Sequence, residues 1–208
     1  MSLASRFFGN TRKPEGLMGR FMTASMNQGH GKVSDWGISH LDGDIKPENI
    51  IELGCGGGRN ADVLLKLYPE SELTAIDYSE VSVDKTGKRN RKAIRDGRCS
   101  VMQADVSKLP LPDKYFDLAT AFETVYFWPG PVESFREVYR VLKNGSAFLI
   151  VNESDGNNPN DEKWTKIIDG MKIYNENELK GMLLEAGFLK VESYNDKEKH
   201  WLSLIAIK

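Results

Sequence analysis

A chain of 208 residues, 40% apolar and 28% charged, is long enough to bury one sizeable core and departs from globular averages in neither share. Its net charge of -2 leaves no electrostatic footprint for DNA, RNA or an anionic membrane; no apolar run reaches bilayer length, and the N-terminus lacks a signal-peptide core. The two cysteines, Cys55 and Cys99, without a Cys/His cluster at ligand spacing, argue against a disulfide framework and a metal site, so the expectation is a cytoplasmic α/β protein, monomer or homodimer, with a small-molecule partner and no metal.

The first 48 residues precede any regular alternation. Between Glu15 and Asn27 the apolar residues Leu17, Met18, Phe21, Met22 and Met26 recur at helical spacing, and Ser34 to Leu41 predicts a second short helix carrying Trp36, Ile38 and Leu41. Such a segment either packs on the domain as an ordinary amphipathic helix or serves as an adaptable lid over an apolar substrate.

From Asn49 onward strand and helix alternate. Strand Asn49 to Leu53 leads through Glu52-Leu53-Gly54-Cys55-Gly56-Gly57-Gly58 into helix Asn60 to Leu67; strand Glu72 to Ile76 ends at Asp77 and precedes helix Glu80 to Arg95; strand Ser100 to Ala104 ends at Asp105. A turn-rich link, Leu109-Pro110-Leu111-Pro112-Asp113, has no room for a full helix. Strand Phe116 to Phe122 then ends at Glu123, helix Val132 to Leu142 stops at Asn144-Gly145, and strand Ala147 to Val151 ends near Glu153. In an open parallel sheet ligands sit outside the carboxyl ends of the strands, which lines Asp77, Asp105, Glu123 and Glu153 along one crevice. A short buried strand that turns through glycines straight into a helix suits a nucleotide-like ligand, because bare backbone there approaches the ligand closely.

After Glu153 the alternation breaks. Residues 154–175 are polar at first and then carry Trp164, Ile167, Ile168, Met171 and Tyr174, which suggests an insertion on the substrate side. Helix Glu176 to Ala186 ends at Gly187. Strands Leu189 to Tyr194 and Trp201 to Ile207 are joined by a turn too short for a parallel return, so the last strand is expected to be antiparallel.

The ordered set of Glu-Leu-Gly-Cys-Gly-Gly-Gly at 52–58, Asp77, Ala104-Asp105 with Leu109-Pro110 and Tyr115-Phe116-Asp117, and Leu142-Lys143-Asn144-Gly145 resembles a class I S-adenosylmethionine (SAM)-dependent methyltransferase. The upstream Met26-Asn27, His30 and Trp36-Gly37 resemble, more loosely, small methyltransferases of the quinone-biosynthesis kind. The resemblance implies a Rossmann-like, doubly wound α/β sheet, mostly parallel with an antiparallel C-terminal strand and helices on both faces. It divides the chain into an N-terminal helical arm or lid over 1–48 and a methyltransferase domain over 49–208. It also implies SAM as cofactor, S-adenosylhomocysteine as product and in-line methyl transfer to a small molecule.

On that resemblance, Gly54, Gly56 and Gly58 let the backbone lie against the methionine tail and ribose where a β-carbon would collide, with Cys55 a small filler in the turn, and Glu52 faces the tail's ammonium. Asp77 accepts both ribose hydroxyls, Tyr78 covers the adenine, Asp105 accepts from the adenine amine between Ala104 and Val106, and Glu123 lies nearest the sulfonium. Candidates for proton transfer are His30, Glu123 and Tyr126; candidates for the acceptor wall are Met22, Met26, Trp36, Trp128, Trp164 and Tyr174. Each has a plainer reading: Asp77 as a cap for the following helix, His30 as a structural turn residue, the aromatics as core, and the basic run Lys85 to Arg95 as a solvated helix face. Two other functions stay open at this level. A nicotinamide-dependent oxidoreductase also uses a glycine turn, but it needs a small residue where this chain has Arg59. A protein that binds SAM without transferring the methyl would carry the same cofactor residues.

Overall fold

The computed structural model describes residues 31–208 apart from 42 and 44, so the expected helix over 15–27 and the candidates Met22, Met26 and His30 lie outside the described residues. The elements are α1 (Gly31–Ile38), β1 (Asn49–Leu53), α2 (Arg59–Leu67), β2 (Glu72–Asp77), α3 (Glu80–Arg89), α4 (Arg91–Arg95), β3 (Cys99–Gln103), β4 (Phe116–Phe122), a 3-10 turn (Val125–Phe127), α5 (Pro131–Val141), β5 (Leu142–Asn152), α6 (Glu162–Ile167), α7 (Glu176–Ala186), β6 (Lys190–Asp196) and β7 (Trp201–Ile207).

The seven strands form one sheet in the order β3-β2-β1-β4-β5-β7-β6. β1 is parallel to both β2 and β4, β4 is parallel to β5, and β7 is antiparallel to β5 and β6. Central parallel strands are covered on both faces and therefore read as continuous apolar runs. Ile50, Ile51 and Leu53 of β1 and Phe148, Leu149, Ile150 and Val151 of β5 are fully buried. One face packs on α5, α7 and the 3-10 turn through Phe135, Val138, Leu179 and Leu183; the other packs on α1 and α2 through Val33, Ala61, Leu64 and Leu65.

The chain runs outward from β1 to β3 and returns to β4 on β1's other side. The topological switch therefore lies between β1 and β4, with the carboxyl ends of all five parallel strands on one edge. The expected helix over 34–41 lies at Gly31–Ile38, other element ends shift by one or two residues, and two further differences change the element pattern. The single helix over 80–95 is two: α3 stops at Asn90, whose buried carboxamide donates to the Thr86 and Gly58 carbonyls and leaves α4 to start afresh. The Asn144-Gly145 turn exists, with Gly145 at φ +79, but it is a bulge inside β5: pairing jumps from Phe116↔Leu142 to Leu118↔Ala147.

Candidate cofactor site

The site begins with the hydrogen bonds that β1 cannot finish as it turns. The Gly54 and Cys55 N–H groups both donate to the Ile76 carbonyl, at 2.8 and 2.9 Å, drawing the loop onto the end of β2. Gly54, Gly56 and Gly58 all have positive φ, at +82, +53 and +73, which side chains rarely tolerate. The three differ in what a β-carbon would meet. At Gly54 it would lie 2.4 Å from the Thr124 methyl, and at Gly58 2.8 Å from the Thr86 Cα. At Gly56 it would meet no atom within 4 Å. Gly54 and Gly58 thus have a packing reason of their own to lack a side chain, and of the three Gly56 alone opens on space.

Three residues that sequence reasoning passed over hold this loop. The Thr124 hydroxyl donates to the Leu53 carbonyl at 3.1 Å, closing the floor between β1 and β4. Thr86 Oγ1 donates to the Gly56 carbonyl at 3.2 Å, and Asn90 Nδ2 to the Gly58 carbonyl at 3.1 Å. Thr86 and Asn90 sit one helical turn apart on the buried side of α3, so the basic run that reads as a solvated face hides the residues that shape the loop. Their signal in the sequence is the uncharged spacing Thr86-x-x-x-Asn90 amid the lysines and arginines.

Asp77, at the end of β2, is 8% exposed. Its Oδ2 accepts the Gly56 N–H and its Oδ1 the Ser79 N–H, each at 2.9 Å. It does not cap α3; that role falls to the Ser79 side chain, which accepts from Ser82 N–H. A carboxylate oxygen can accept more than one hydrogen bond, so holding the loop does not prevent Asp77 from accepting from a vicinal diol. Burial raises its pKa, opposed by the backbone donors at Ser79 and Gly56.

Glu52 is the one charged residue inside β1, 1% exposed, with Oε2 lacking any hydrogen-bond partner. Burial first and the neighbouring Asp77 charge second push its pKa up to about 8, with the Ala61 N–H at the start of α2 pulling the other way. A buried carboxyl oxygen left unpaired is costly unless something else meets it, and a ligand ammonium or its bound water does so. Cys55 is buried and free, its thiol pKa raised by burial, and is therefore inert.

Asp105 is exposed beyond β3 and accepts from the Ser107 N–H and hydroxyl, both at 2.8 Å, which fixes the turn carrying Ala104 and Val106 beside β2. The Ala104 N–H donates to the Asp77 carbonyl at 3.1 Å, and Tyr78 stands 38% exposed at the same edge. The link after Asp105 is clamped by Arg140 of α5, which donates to the Leu109 and Leu111 carbonyls at 2.9 and 2.8 Å.

Across the switch point, Glu123 ends β4 with φ +60, strained for a residue with a side chain. Its half-buried carboxylate accepts the Glu153 N–H from the end of β5, and burial followed by the Glu153 charge holds its pKa well above the carboxylate range. Tyr126, 4% exposed, accepts the Ser154 N–H on its hydroxyl at 3.1 Å and the Lys172 N–H on its carbonyl at 2.9 Å. Tyr174 is half-buried against the core edge and Trp164 is exposed on α6. Trp36 packs edge-on to His40 and against Trp201, at centroid distances of 4.6 and 5.8 Å. Trp128 takes the plainer reading of a core residue, stacked on Phe148 and edge-on to Phe135. Among the described residues no His, Cys, Asp and Glu group could hold a metal ion, and no helix is long and apolar enough to cross a membrane.

Arg59 begins α2 at the position where a dinucleotide fold packs a small residue, and its guanidinium instead reaches Asp35 of α1 at 2.7 Å. The bare Gly56, the diol-ready Asp77 and the unpaired Glu52 oxygen fit the ribose and the zwitterionic tail of SAM. Fold and site together define an α/β protein of the nucleoside-binding, doubly wound class. Residues 51–150 match the family model described as a methyltransferase domain. The chain is 29% identical over 159 residues to 27-O-demethylrifamycin SV methyltransferase of Amycolatopsis mediterranei (strain S699), covering 74% of this chain and 58% of that protein. It is 35% identical over 103 residues to demethylmenaquinone methyltransferase of Chlamydia trachomatis, covering 50% and 43%. A SAM-dependent methyltransferase from Aquifex aeolicus superposes with a TM-score of 0.71 at 19% identity, over 90% of this chain and 97% of that one. Together these similarities support a class I SAM-dependent methyltransferase, and the chain spans about half the length of the curated relatives it matches or less.

Proposed function

We propose that this chain is an enzyme that transfers the methyl group of SAM to a small-molecule acceptor by in-line displacement, releasing S-adenosylhomocysteine. The observation that carries this reading is the open space at Gly56, whose N–H donates to Asp77, with the unpaired Glu52 oxygen buried close enough to feel the Asp77 charge. SAM supplies a methyl group already activated on a sulfonium, so the protein's share is placement and exclusion of water. Asp77 accepts the ribose hydroxyls while holding the Gly56 N–H, and Glu52 meets the tail's ammonium. Asp105, between Ala104 and Val106, takes the adenine amine, and Tyr78 covers its ring. Glu123, with its raised pKa, is suited to accept a proton from the acceptor as the methyl arrives.

The small-molecule acceptors named for the two curated relatives support a small-molecule acceptor here. We assign residues 1–48 as an arm or lid and 154–175 as a substrate-side insertion. The near-neutral charge supports a cytoplasmic protein, monomeric or homodimeric, without a nucleic-acid partner. Calorimetry with SAM, S-adenosylhomocysteine and NAD tests the site: the first two bind and NAD does not. Formation of S-adenosylhomocysteine from SAM then requires a metabolite extract. Binding of NAD alone overturns the family-based site; SAM binding without turnover in any extract overturns the enzyme.

A further inference from the structure

Asn152 closes β5 and is fully buried, and neither Oδ1 nor Nδ2 of its carboxamide has a hydrogen-bond partner. Two unpaired buried polar atoms on one side chain are rare, because each forfeits its solvation without return. The place is specific. Asn152 pairs with Leu202 across the antiparallel ladder, and alternation sets it on the face of Ile150, Leu202 and Leu204. Register continues from Phe122↔Val151, so Asn152 lies beside Glu123 at the carboxyl edge, where β4 and β5 hand the chain to the two segments fastened by Tyr126.

We propose that Asn152 is the specificity-determining residue for the acceptor and that it binds a hydroxyl group carried on an apolar skeleton. This inference rests on the methyltransferase reading above. A carboxamide presents one acceptor oxygen beside a donor nitrogen. A hydroxyl both donates and accepts, and so satisfies both atoms; a ketone only accepts and an ammonium only donates, and each leaves half of the carboxamide unpaired. The surrounding Ile150, Leu202 and Leu204 side chains fit an apolar body and reject a highly charged one. The segment after β5 is fastened next to this strand end, where the Tyr126 hydroxyl accepts the Ser154 N–H and its carbonyl accepts the Lys172 N–H. A site built to hydrogen-bond a hydroxyl discriminates strongly against the analogue lacking it, because its own buried groups are then left unpaired.

The test uses the full chain, Asn152→Leu and the smaller Asn152→Val. In the free protein the unpaired amide is a liability, so at least one variant melts roughly 2–8 °C higher than the parent. A fall in Tm for both marks an amide already satisfied inside the protein, by ordered water for example, and overturns the proposal. S-Adenosylhomocysteine is then titrated by calorimetry; unchanged affinity in the variants separates this inference from the cofactor site, and absent binding in the parent fails the methyltransferase reading instead. In the S-adenosylhomocysteine-loaded parent, p-cresol should bind at least about tenfold tighter than p-xylene by ligand-observed NMR, and Asn152→Leu should erase that ratio. Equal binding of the two in the parent, no binding of p-cresol, or a ratio that survives in the variant overturns it.

Discussion

The two halves of the crevice differ in how their polar groups are spent. On the β1–β3 side most polar atoms already have a partner: the Gly54, Cys55 and Gly56 N–H groups, both Asp77 oxygens, Thr86 and Asn90 are all bonded, while Glu52 Oε2 and Ser82 Oγ are not. On the β4–β5 side Glu123 is strained and carries a raised pKa, and Asn152 has no partner. A ligand of constant structure can be met by a finished surface, which is preorganised and loses little on binding. A site for a variable acceptor instead holds polar groups in reserve, at the expense of local stability.

The glycines give the largest test of the finished half. Gly58→Ala drives a β-carbon to 2.8 Å from the Thr86 backbone at φ +73, and should cost about 2 kcal/mol or more and lower Tm by at least about 4 °C. Gly56→Val meets open space, so it should lose only the about 1–2 kcal/mol of left-handed backbone strain yet weaken SAM at least about 100-fold, because the side chain occupies the ligand's contact surface. Thermal melts and calorimetry on both variants check the pair. A Gly56→Val protein that keeps its SAM affinity would show that the open space is not the cofactor's.

The reserve half should respond in turnover and not in cofactor affinity. With an extract that supports turnover, Glu123→Gln is expected to lower kcat by about 100-fold while the SAM dissociation constant stays within about twofold. Because Glu123 titrates well above its ordinary range, kcat in the parent should rise with pH as that proton is lost, and the variant should lose the rise. An unchanged kcat removes Glu123 from proton transfer and leaves it as a brace for the Glu153 N–H.

The same contrast explains what was legible in the sequence. Every strand from Asn49 onward, the antiparallel end and the acids at the strand ends follow from alternation and turn chemistry, because a parallel sheet needs apolar runs and its ligands gather at one edge. For Trp128 the sequence left core and wall both open, because burial among Phe135 and Phe148 depends on side chains distant in sequence, and a tryptophan in a post-strand turn looks the same at a rim or in a core. Thr124, Thr86 and Asn90 escaped for a similar reason: each acts by touching a glycine 28 to 70 residues away. Asn152 shows as the last residue of an apolar strand, and only burial reveals that its amide has nothing to bond.

Glu52 sharpens the comparison most finely, since its Oε2 is an unpaired carboxyl oxygen within the finished half. Its carboxyl has an ordinary value of 4.5 when unfolded and is raised to about 8 by burial and Asp77, so between those values the folded chain holds a proton that the unfolded chain has lost. Stability from this group is therefore full below about pH 4.5 and declines as pH rises to about 8. Asp77, also raised, adds a smaller decline of the same sign. Glu52→Gln keeps the neutral shape at every pH and should flatten most of that decline in melts taken across the window. Near neutral pH an arriving ammonium favours the carboxylate, so SAM binding to the parent should release protons, visible as a binding enthalpy that varies with the buffer's ionisation enthalpy. Glu52→Gln should abolish that dependence and weaken SAM only several-fold, the smallest effect in the series, because Asp77 and the Gly56 contact remain. Equal buffer dependence in parent and variant would place the ammonium away from Glu52 and leave its oxygen unpaired in the complex as well.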